Sequence, residues 1–399
     1  MTATSITVAD TQWAPSLDRI TLWLLLGFVG VLQVSIAASG VLLALMLLCW
    51  AALLIRDRTW PSAPSFFLPL AAYAGATLVS AALSIDPQAS LIDTKQLLLF
   101  LIVPAVYHVA RGPRASLVVD VIVTVGAASA AFGIIQYGVL HFDNLGQRPQ
   151  GALGHYMTYS GVLMLVLCTA VARLVFGARD RLWAGLVLPA LVVALSLTFT
   201  RSAWVGACAA VSLLFMLKDF RLTAFVPVVI ALLFALAPDA VTDRMMSVFD
   251  LRDPSNRDRL AMMRTGAAIV NDFPLTGVGP NMVPRVYQVY RDSDAVEAVN
   301  PHLHNVPLQI AAERGVPALV IWTWFIATLA VTLFRAFRAD RDRMFGAAAL
   351  AALAGMLAAG FFEYNFGDSE FLMMFLVIVT LPFAAWRADG VPARPDGAA

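Results

Sequence analysis

Charged residues are scarce in this chain. They make up 13% of its 399 residues, and hydrophobic residues make up 60%, whereas soluble proteins carry about 25% charged residues. The apolar residues form continuous runs, most of them roughly 17–24 residues long, which is the length that crosses the hydrocarbon layer as an α-helix. They do not alternate with polar residues as the strands of a membrane barrel do. The composition excludes a soluble domain and predicts an all-α polytopic membrane protein.

Cysteine and histidine are also rare, with three and five residues in the chain. Cys49, Cys168 and Cys208 all fall within apolar runs, where a free cysteine acts as a small hydrophobic side chain. We therefore expect neither a disulfide framework nor a metal cluster built on cysteine. The net charge of +1 says little about partners, and no nucleic acid is expected among them.

Twelve apolar runs predict about twelve transmembrane helices. They are separated by breaks rich in proline, glycine and charge, such as RDRTWPSAP, RGPR and RAFRADRDR, which are typical of loops. The predicted spans are 20–37, 41–55, 65–84, 96–110, 116–140, 153–176, 182–198, 203–217, 222–237, 315–334, 344–361 and 370–386.

The basic residues of the short loops predict the orientation. One alternating set of these loops carries twelve Lys and Arg residues and the opposite set carries three, so the richer set is cytoplasmic by the positive-inside rule. The one long connection, between helices nine and ten, then lies outside, which is the periplasmic side if the cell is Gram-negative. The predicted divisions are a cytoplasmic N-terminal segment 1–19, spans one to nine in 20–237, a periplasmic loop 238–314, spans ten to twelve in 315–386, and a cytoplasmic tail 387–399.

The long loop is too long for a plain connector, and loops of this length are usually functional or disordered. Within it, Leu260, Met263, Ala267 and Val270 recur at helical spacing, and Pro274 follows the end of the pattern. We therefore expect a partly helical loop, with this helix lying on the membrane surface.

Arginines on the outer side are candidates for an anion site. Arg201 interrupts the apolar sequence LTFTRSAWVG, where a cation needs a partner or water; it either extends to lipid headgroups or binds an anionic ligand. Arg259 and Arg264 are five residues apart and so lie on different faces of the predicted loop helix. A guanidinium binds phosphate oxygens through two parallel hydrogen bonds and stays charged. A solvated loop charge is the alternative for each of these loop arginines.

The segment HLHNVPLQIAAERG, residues 302–315, holds two of the five histidines. His302 and His304 are two apart and would point in different directions on a helix, so they do not predict a metal site, which favours a spacing of four. His304 lies beside Asn305, and Glu313 follows on the same side of the predicted helix. A neutral imidazole is suited to take a proton from a hydroxyl, although a loop histidine is as often structural.

These motifs resemble the O-antigen ligase family, a set of integral-membrane glycosyltransferases that also includes O-antigen polymerases and protein O-oligosaccharyltransferases. TRSAW is similar to the family's arginine at the start of a span, and NRDRLAMMRTGAAIVNDFPLTGVGPN to its arginine-led amphipathic segment, except that Met263 stands where the family often has Trp. HNVPLQIAAERGVP matches the family's spacing at His304, Asn305, Leu308, Glu313 and Gly315.

The resemblance implies roles for the candidate residues. Arg201 and Arg259 would bind the diphosphate of an undecaprenyl-diphosphate-linked polysaccharide, with Arg264 as a competing candidate. His304 would be the catalytic base that activates a sugar hydroxyl of the lipid A–core acceptor. The remaining members of the motif would support this site, namely His302, Asn305 and Glu313.

The implied reaction takes place at the periplasmic face of the bacterial inner membrane, among membrane lipid, and needs neither a metal nor a cofactor. A polymerase or an oligosaccharyltransferase would use the same chemistry with another acceptor, so the sequence barely separates these activities from a ligase. A secondary transporter is the alternative from another class, since twelve spans are common among transporters. The long outer loop after the ninth span and the lack of a half-to-half repeat disfavour it.

Overall fold

The computed structural model describes residues 14–250, 252–339 and 343–387, and within these ranges all regular structure is helical, which confirms the predicted all-α class. The α-helices before the long loop are α1 (Ala14–Val31), α2 (Ile36–Asp57), α3 (Phe67–Ala82), α4 (Pro87–Asp93), α5 (Ile102–Val109), α6 (Arg114–Gly138), α7 (Tyr156–Phe176), α8 (Arg181–Leu197), α9 (Arg201–Lys218) and α10 (Phe225–Leu236). Those that follow are α11 (Asp239–Met246), α12 (Pro254–Asp272), α13 (Val283–Tyr290), α14 (Val306–Ala339), α15 (Met344–Gly360) and α16 (Ser369–Ala385). Four 3₁₀ segments join them, at Thr94–Leu101, Phe220–Ala224, Ser247–Phe249 and Asn365–Gly367.

Each predicted span overlaps a helix of the structure. Residues 1–13 of the predicted N-terminal segment and 388–399 of the predicted tail lie outside the described residues. The count of twelve spans and the periplasmic side of the loop remain predictions. Six helical stretches are long and apolar enough to cross a membrane, namely 36–57, 87–109, 114–138, 156–176, 201–218 and 306–339. Five shorter apolar stretches accompany them, at 67–82, 181–197, 220–236, 344–360 and 369–385.

Helices α7, α15 and α16 form the centre of the bundle. Most of their residues are buried, as is expected for helices that are apolar on every side. Small residues let α9 approach this centre closely: a Cβ on Gly206 would meet the sulfur of Met164 and the carbonyl oxygen of Gly355. This packing fixes the first turn of α9 beside the end of α15.

The long connection is partly helical, as predicted, and contains α11, α12 and α13. The predicted helix is confirmed as α12. The stripe expected to be apolar is turned outward, however, with Leu260 and Met263 46% and 51% exposed. The helix packs through its opposite face, because Gly266 lies against Leu303 and Leu308 and leaves no room for a larger residue. The exposed stripe stays available for the predicted contact with the membrane surface.

Helix α14 begins at Val306, before the predicted span boundary at 315, and bends at Gly315. Gly315 has a φ of +81°, and a Cβ there would collide with the backbone of Leu275, so only glycine fits. The chain also passes closely here, since the Val316 N–H donates to the carbonyl oxygen of Pro274 at 2.8 Å. The bend separates a short outer segment of α14 from its long apolar segment, and the two histidines come just before the outer segment.

Candidate active site

Arg201 is the first residue of α9 and is 5% exposed. Its Nη1 donates to Ser247 Oγ at 2.9 Å and its Nη2 to Asp253 Oδ1 at 3.2 Å. The other oxygen of Asp253 accepts a hydrogen bond from Arg244 Nη1 at 3.3 Å. The Nε atoms of both arginines have no hydrogen-bond partner within the described chain. Two guanidinium groups therefore share one carboxylate.

Asp253 also caps α12, since its side chain accepts hydrogen bonds from the Ser255 and Asn256 N–H groups. The cap fixes the first turns of α12, which bring Arg259 towards Arg201. Arg259 makes no hydrogen bond or ion pair with another residue that the structure describes. Burial, and then the charge of Arg201, lower the pKa of Arg259, so a neighbouring anion would favour its charged form.

The three residues that the motifs single out line one cavity. Its volume is about 440 Å³, and Arg201, Arg259 and His304 lie in its wall together with Arg148 and Arg244. Burial and the charge of Arg201 lower the pKa of Arg244 to about 10. We call this space, defined by the four arginines and the histidine, the cationic cavity. Its arrangement suits a doubly charged anion beside a proton acceptor.

Three acidic residues line the cationic cavity, namely Asp253, Asp258 and Glu297, and the first two are occupied by other contacts. Asp253 bridges two arginines as described above. Asp258 accepts hydrogen bonds from the N–H groups of Val296 and Glu297, both at 3.0 Å, and from Asn300 Nδ2 at 3.2 Å. These contacts hold the segment after α13 against α12. Three carboxylates thus face four arginines in the cavity wall, which leaves part of the arginine charge unbalanced.

His304 lies in the loop before α14 with a φ of +49°, which few residues other than glycine adopt. Its Nδ1 is 3.0 Å from Oε2 of Glu363, which lies between α15 and α16. When Nδ1 donates to this carboxylate, Nε2 keeps its lone pair and can accept a proton. Catalytic histidine bases are commonly held in this way, with a carboxylate that orients the imidazole.

His302 contacts the same carboxylate, with Nε2 3.4 Å from Glu363 Oε1, and its ring lies edge-on to that of His304 at 4.2 Å. Burial lowers the pKa of His302 to about 4, although Glu363 opposes the shift. Burial alone would raise the pKa of Glu363, but His304, His302 and Arg259 hold it at about 2. Glu363 is thus an anionic carboxylate that lies between the imidazoles of His302 and His304.

The sequence argument that His302 and His304 point apart was wrong, because it placed both on a helix. They lie in the loop before α14, and single nitrogen atoms of both, with an oxygen of Glu363, lie within 4.8 Å of one another. Asn305 supports this loop as expected, since its Nδ2 donates to the carbonyl oxygen of Phe361 at 3.1 Å and its Oδ1 accepts from Leu308 N–H at 2.9 Å.

Two further candidates do not reach the cationic cavity. Arg264 lies on the other face of α12, as its spacing from Arg259 predicts, and its 61% exposed side chain pairs with Asp294 at 2.9 Å. Glu313 is 2% exposed and pairs with Arg314 at 2.8 Å beside the bend of α14. Neither residue lines the cavity, so Glu313 supports the fold rather than the reacting groups.

Sequence reasoning missed three contributors to this site, namely Glu363, Arg244 and Arg148. Glu363 lies in GFFEYNFGD, between two predicted spans on the outer side, and a carboxylate there was a usable signal. Arg244 was one of several loop arginines with no motif to distinguish it. Arg148 stacks over Tyr156 at 4.2 Å, a contact between the loop after α6 and the first residue of α7 that no local pattern indicates.

Fold and site together define a multi-pass helical membrane protein with a cationic cavity next to a histidine–glutamate pair. Residues 185–323 match the family model described as O-antigen ligase, which confirms the resemblance identified from the motifs. The match supports a membrane glycosyltransferase of the O-antigen ligase and polymerase type. It includes Arg201, Arg244, Arg259 and His304, whereas Glu363 lies beyond it. Comparison with curated proteins gives no match.

Proposed function

We propose that the protein is an O-antigen ligase, which transfers a glycan from undecaprenyl diphosphate to a sugar hydroxyl of lipid A–core at the periplasmic face of the inner membrane. The observation that carries the proposal is the presence of Arg201, Arg259 and His304 in the wall of one cavity of about 440 Å³. Those residues supply a diphosphate site and a base, which are the two functions that this transfer needs.

The donor diphosphate binds among the arginines. Hydrogen bonds between charged groups contribute about 1.5–3 kcal/mol each, and Arg201 and Arg244 share the single carboxylate of Asp253. Arg259 adds a charge without a carboxylate partner in the described chain. A diphosphate would balance this surplus and accept hydrogen bonds from the donors that the protein leaves unused.

The isoprenoid chain of the donor has an apolar cavity of about 250 Å³ available, lined by residues of α7, α8, α9, α10 and α11. Helix α11 links the two spaces. Its Arg244 lines the cationic cavity, while its Val241 and Met245 line the apolar one. A charged headgroup and an apolar tail of one lipid can therefore bind on either side of α11.

In the transfer, His304 Nε2 takes the proton from the acceptor hydroxyl, and the hydroxyl oxygen attacks the anomeric carbon of the donor. The bond from that carbon to the diphosphate oxygen breaks, and its electron pair leaves with undecaprenyl diphosphate. Glu363 stabilises the imidazolium that forms, and the arginines stabilise the charge that builds on the leaving group. A single displacement of this kind inverts the anomeric carbon and needs no metal.

The proposal is tested by reconstitution of the purified protein with lipid-linked glycan and lipid A–core in the presence of a chelator. We expect glycan to appear on lipid A–core and undecaprenyl diphosphate to be released in equal amounts. Glycan that grows on its lipid carrier while lipid A–core stays unmodified would contradict a ligase. That result would identify a polymerase with the same chemistry.

A deletion strain distinguishes the same two activities in the cell. Loss of the ligase leaves undecaprenyl-linked polymer in place but removes long-chain lipopolysaccharide. Loss of the polymer itself contradicts the proposal.

A further inference from the structure

Three side chains beside the cationic cavity have the composition of a transition-metal site. His302, His304 and Glu363 each offer one ligand atom, and these atoms lie within 4.8 Å of one another. Zinc sites with an open coordination position commonly have three protein ligands, among them two histidines with one glutamate. The composition therefore matches zinc better than magnesium or calcium, which take mainly oxygen ligands.

The separations of the ligand atoms also suit zinc. His304 Nδ1 is 3.0 Å from one oxygen of Glu363, and His302 Nε2 is 3.4 Å from the other. Ligand atoms placed about 2.1 Å from a tetrahedral zinc ion are about 3.4 Å apart. All three ligand atoms lie within 4.8 Å of one another, so a zinc ion would bind once side-chain rotation brings them to the tetrahedral spacing.

The two loops that carry these ligands are tied to each other. Asn305 Nδ2 donates to the carbonyl oxygen of Phe361 at 3.1 Å, which holds the histidine loop beside the loop after α15. The Tyr364 N–H donates to Glu363 Oε1 at 3.1 Å and orients the carboxylate. His302 and Glu363 also line a neighbouring cavity of about 180 Å³, which gives an ion and its remaining water a place to enter.

Metal binding would change which nitrogen of each imidazole carries a proton. His302 Nδ1 accepts a long hydrogen bond of 3.4 Å from the His304 N–H, and this bond is lost when zinc takes Nε2. For His304, zinc at Nδ1 places the proton of the neutral ring on Nε2. The atom that would accept the hydroxyl proton then has no lone pair.

We propose that His302, His304 and Glu363 form a zinc site whose occupation blocks the transfer reaction. The inhibitory part rests on the proposed function, in which His304 Nε2 is the base, whereas the binding part does not. Zinc would act by fixing the single proton of each neutral imidazole on the nitrogen that it does not bind, with no bond of the substrate broken and no change in oxidation state.

Binding is tested without substrate. The purified full-length protein, freed of metal with a chelator and placed in nanodiscs, is titrated with Co²⁺, whose visible absorption reports ligand geometry. We expect one Co²⁺ per chain, displaced by Zn²⁺. Loss of a residue that only supports a metal ligand weakens metal binding roughly 10–100-fold. His302→Ala and Glu363→Gln each remove a ligand itself, so each should weaken Co²⁺ binding by more than this.

The control for binding is His155→Ala, since His155 lines the neighbouring cavity but is not one of the three ligands. It should bind Co²⁺ as the unsubstituted protein does. His302→Gln provides a second variant in case the alanine substitution prevents folding, which size-exclusion chromatography reports. An absent Co²⁺ spectrum, or equal binding by the His302 variants, overturns the site.

Inhibition is measured as the transfer rate with Zn²⁺ divided by the rate of the same variant with chelator. We expect this ratio to be about one tenth or less in the unsubstituted protein at saturating zinc. In His302→Gln it should stay near one. Bound zinc that leaves the rate unchanged or raises it overturns the inhibition. If the protein binds Co²⁺ but shows no transfer when assayed with chelator, the proposed function is contradicted and the metal site is not.

Discussion

Arg173 and Arg201 are both almost completely buried, at 4% and 5% exposure, but they lie at opposite ends of the bundle. Tyr156, which begins α7, lines the cationic cavity, and Arg173 follows 17 residues later, about 26 Å along the helix. Arg173 pairs with two carboxylates, those of Asp120 and Asp180. Arg201, in contrast, shares one carboxylate with a second arginine.

The two arginines are buried to the same extent and differ in how many carboxylates balance their charge. A buried cation with sufficient partners is a structural feature, and its cost of desolvation is offset by its own ion pairs. A group of arginines with too few carboxylates, placed beside a cavity, leaves charge for a ligand to balance. We therefore propose that the end around Arg201 is the functional end and that the end around Arg173 stabilises the fold.

The variant with the largest expected effect is His304→Ala. We expect the transfer rate to fall by about 10²–10⁴, the usual contribution of a general base, while donor binding stays nearly unchanged because the arginines remain. Initial rates and donor affinity are measured in proteoliposomes. His141→Asn is the matched control, since His141 is an exposed histidine with a φ of +58° that asparagine tolerates. A loss in His304→Ala of less than tenfold would argue against the base.

The variants Arg201→Ala and Arg173→Ala allow a direct comparison of the two ends of the bundle. Loss of hydrogen bonds to a charged ligand costs about 1.5–3 kcal/mol, so kcat/KM for the donor should fall about 10–100-fold in Arg201→Ala. Arg173→Ala should instead lower the melting temperature in detergent and leave kcat/KM per folded protein within about twofold, because the residue is remote from the cavity. Equal losses of kcat/KM in the two variants would remove the distinction between the two ends.

The sequence was sufficient to predict the class of the fold and to single out three residues that line the cationic cavity. Continuous apolar runs predicted the helices because membrane-spanning segments must satisfy their own backbone hydrogen bonds. Arg201, Arg259 and His304 were found because each stands in a local motif.

The contributions of Glu363 and Asp253 were not predictable in the same way. Glu363 is 59 residues from His304 in the chain, and Asp253 is 52 residues from Arg201. Their pairing depends on how the bundle packs, which local spacing does not encode. Local spacing also misled at His302, since the helical geometry assumed for it begins only at Val306.

Arg259→Ala and Arg264→Ala give the same comparison within one helix. Arg259 lines the cationic cavity, whereas Arg264 is exposed and paired with Asp294. We expect kcat/KM to fall about tenfold in Arg259→Ala, the effect of one charge-assisted hydrogen bond. Arg264→Ala should lose less than about threefold, because exposed ion pairs contribute about 0–1 kcal/mol. The reverse order, measured by initial rates over a range of donor concentrations, would restore Arg264 as the diphosphate ligand.

The smallest expected effect is a dependence of stability on pH at the outer end. Burial lowers the pKa of His302 from its ordinary 6.5 to about 4, and the groups that face it are Glu363, His304 and His155. The unfolded chain takes up this proton below pH 6.5 and the folded chain only below about pH 4. Stability is therefore lost as the pH falls from 6.5 to 4. The depressed pKa of Glu363, about 2, adds a loss that begins only below its ordinary 4.5.

The melting temperature of the protein in detergent should accordingly fall between pH 6.5 and 4.5, by about 2–4 °C for each kcal/mol of stability lost. His302→Gln has no proton to take up there, so its melting temperature should change less over the same interval. Arg173→Ala should keep the full pH dependence, since its ion pairs involve carboxylates at the other end of the bundle. If His302→Gln follows the pH profile of the unsubstituted protein, the pH-sensitive group lies elsewhere, and the outer end is no more responsive to protons than the inner one.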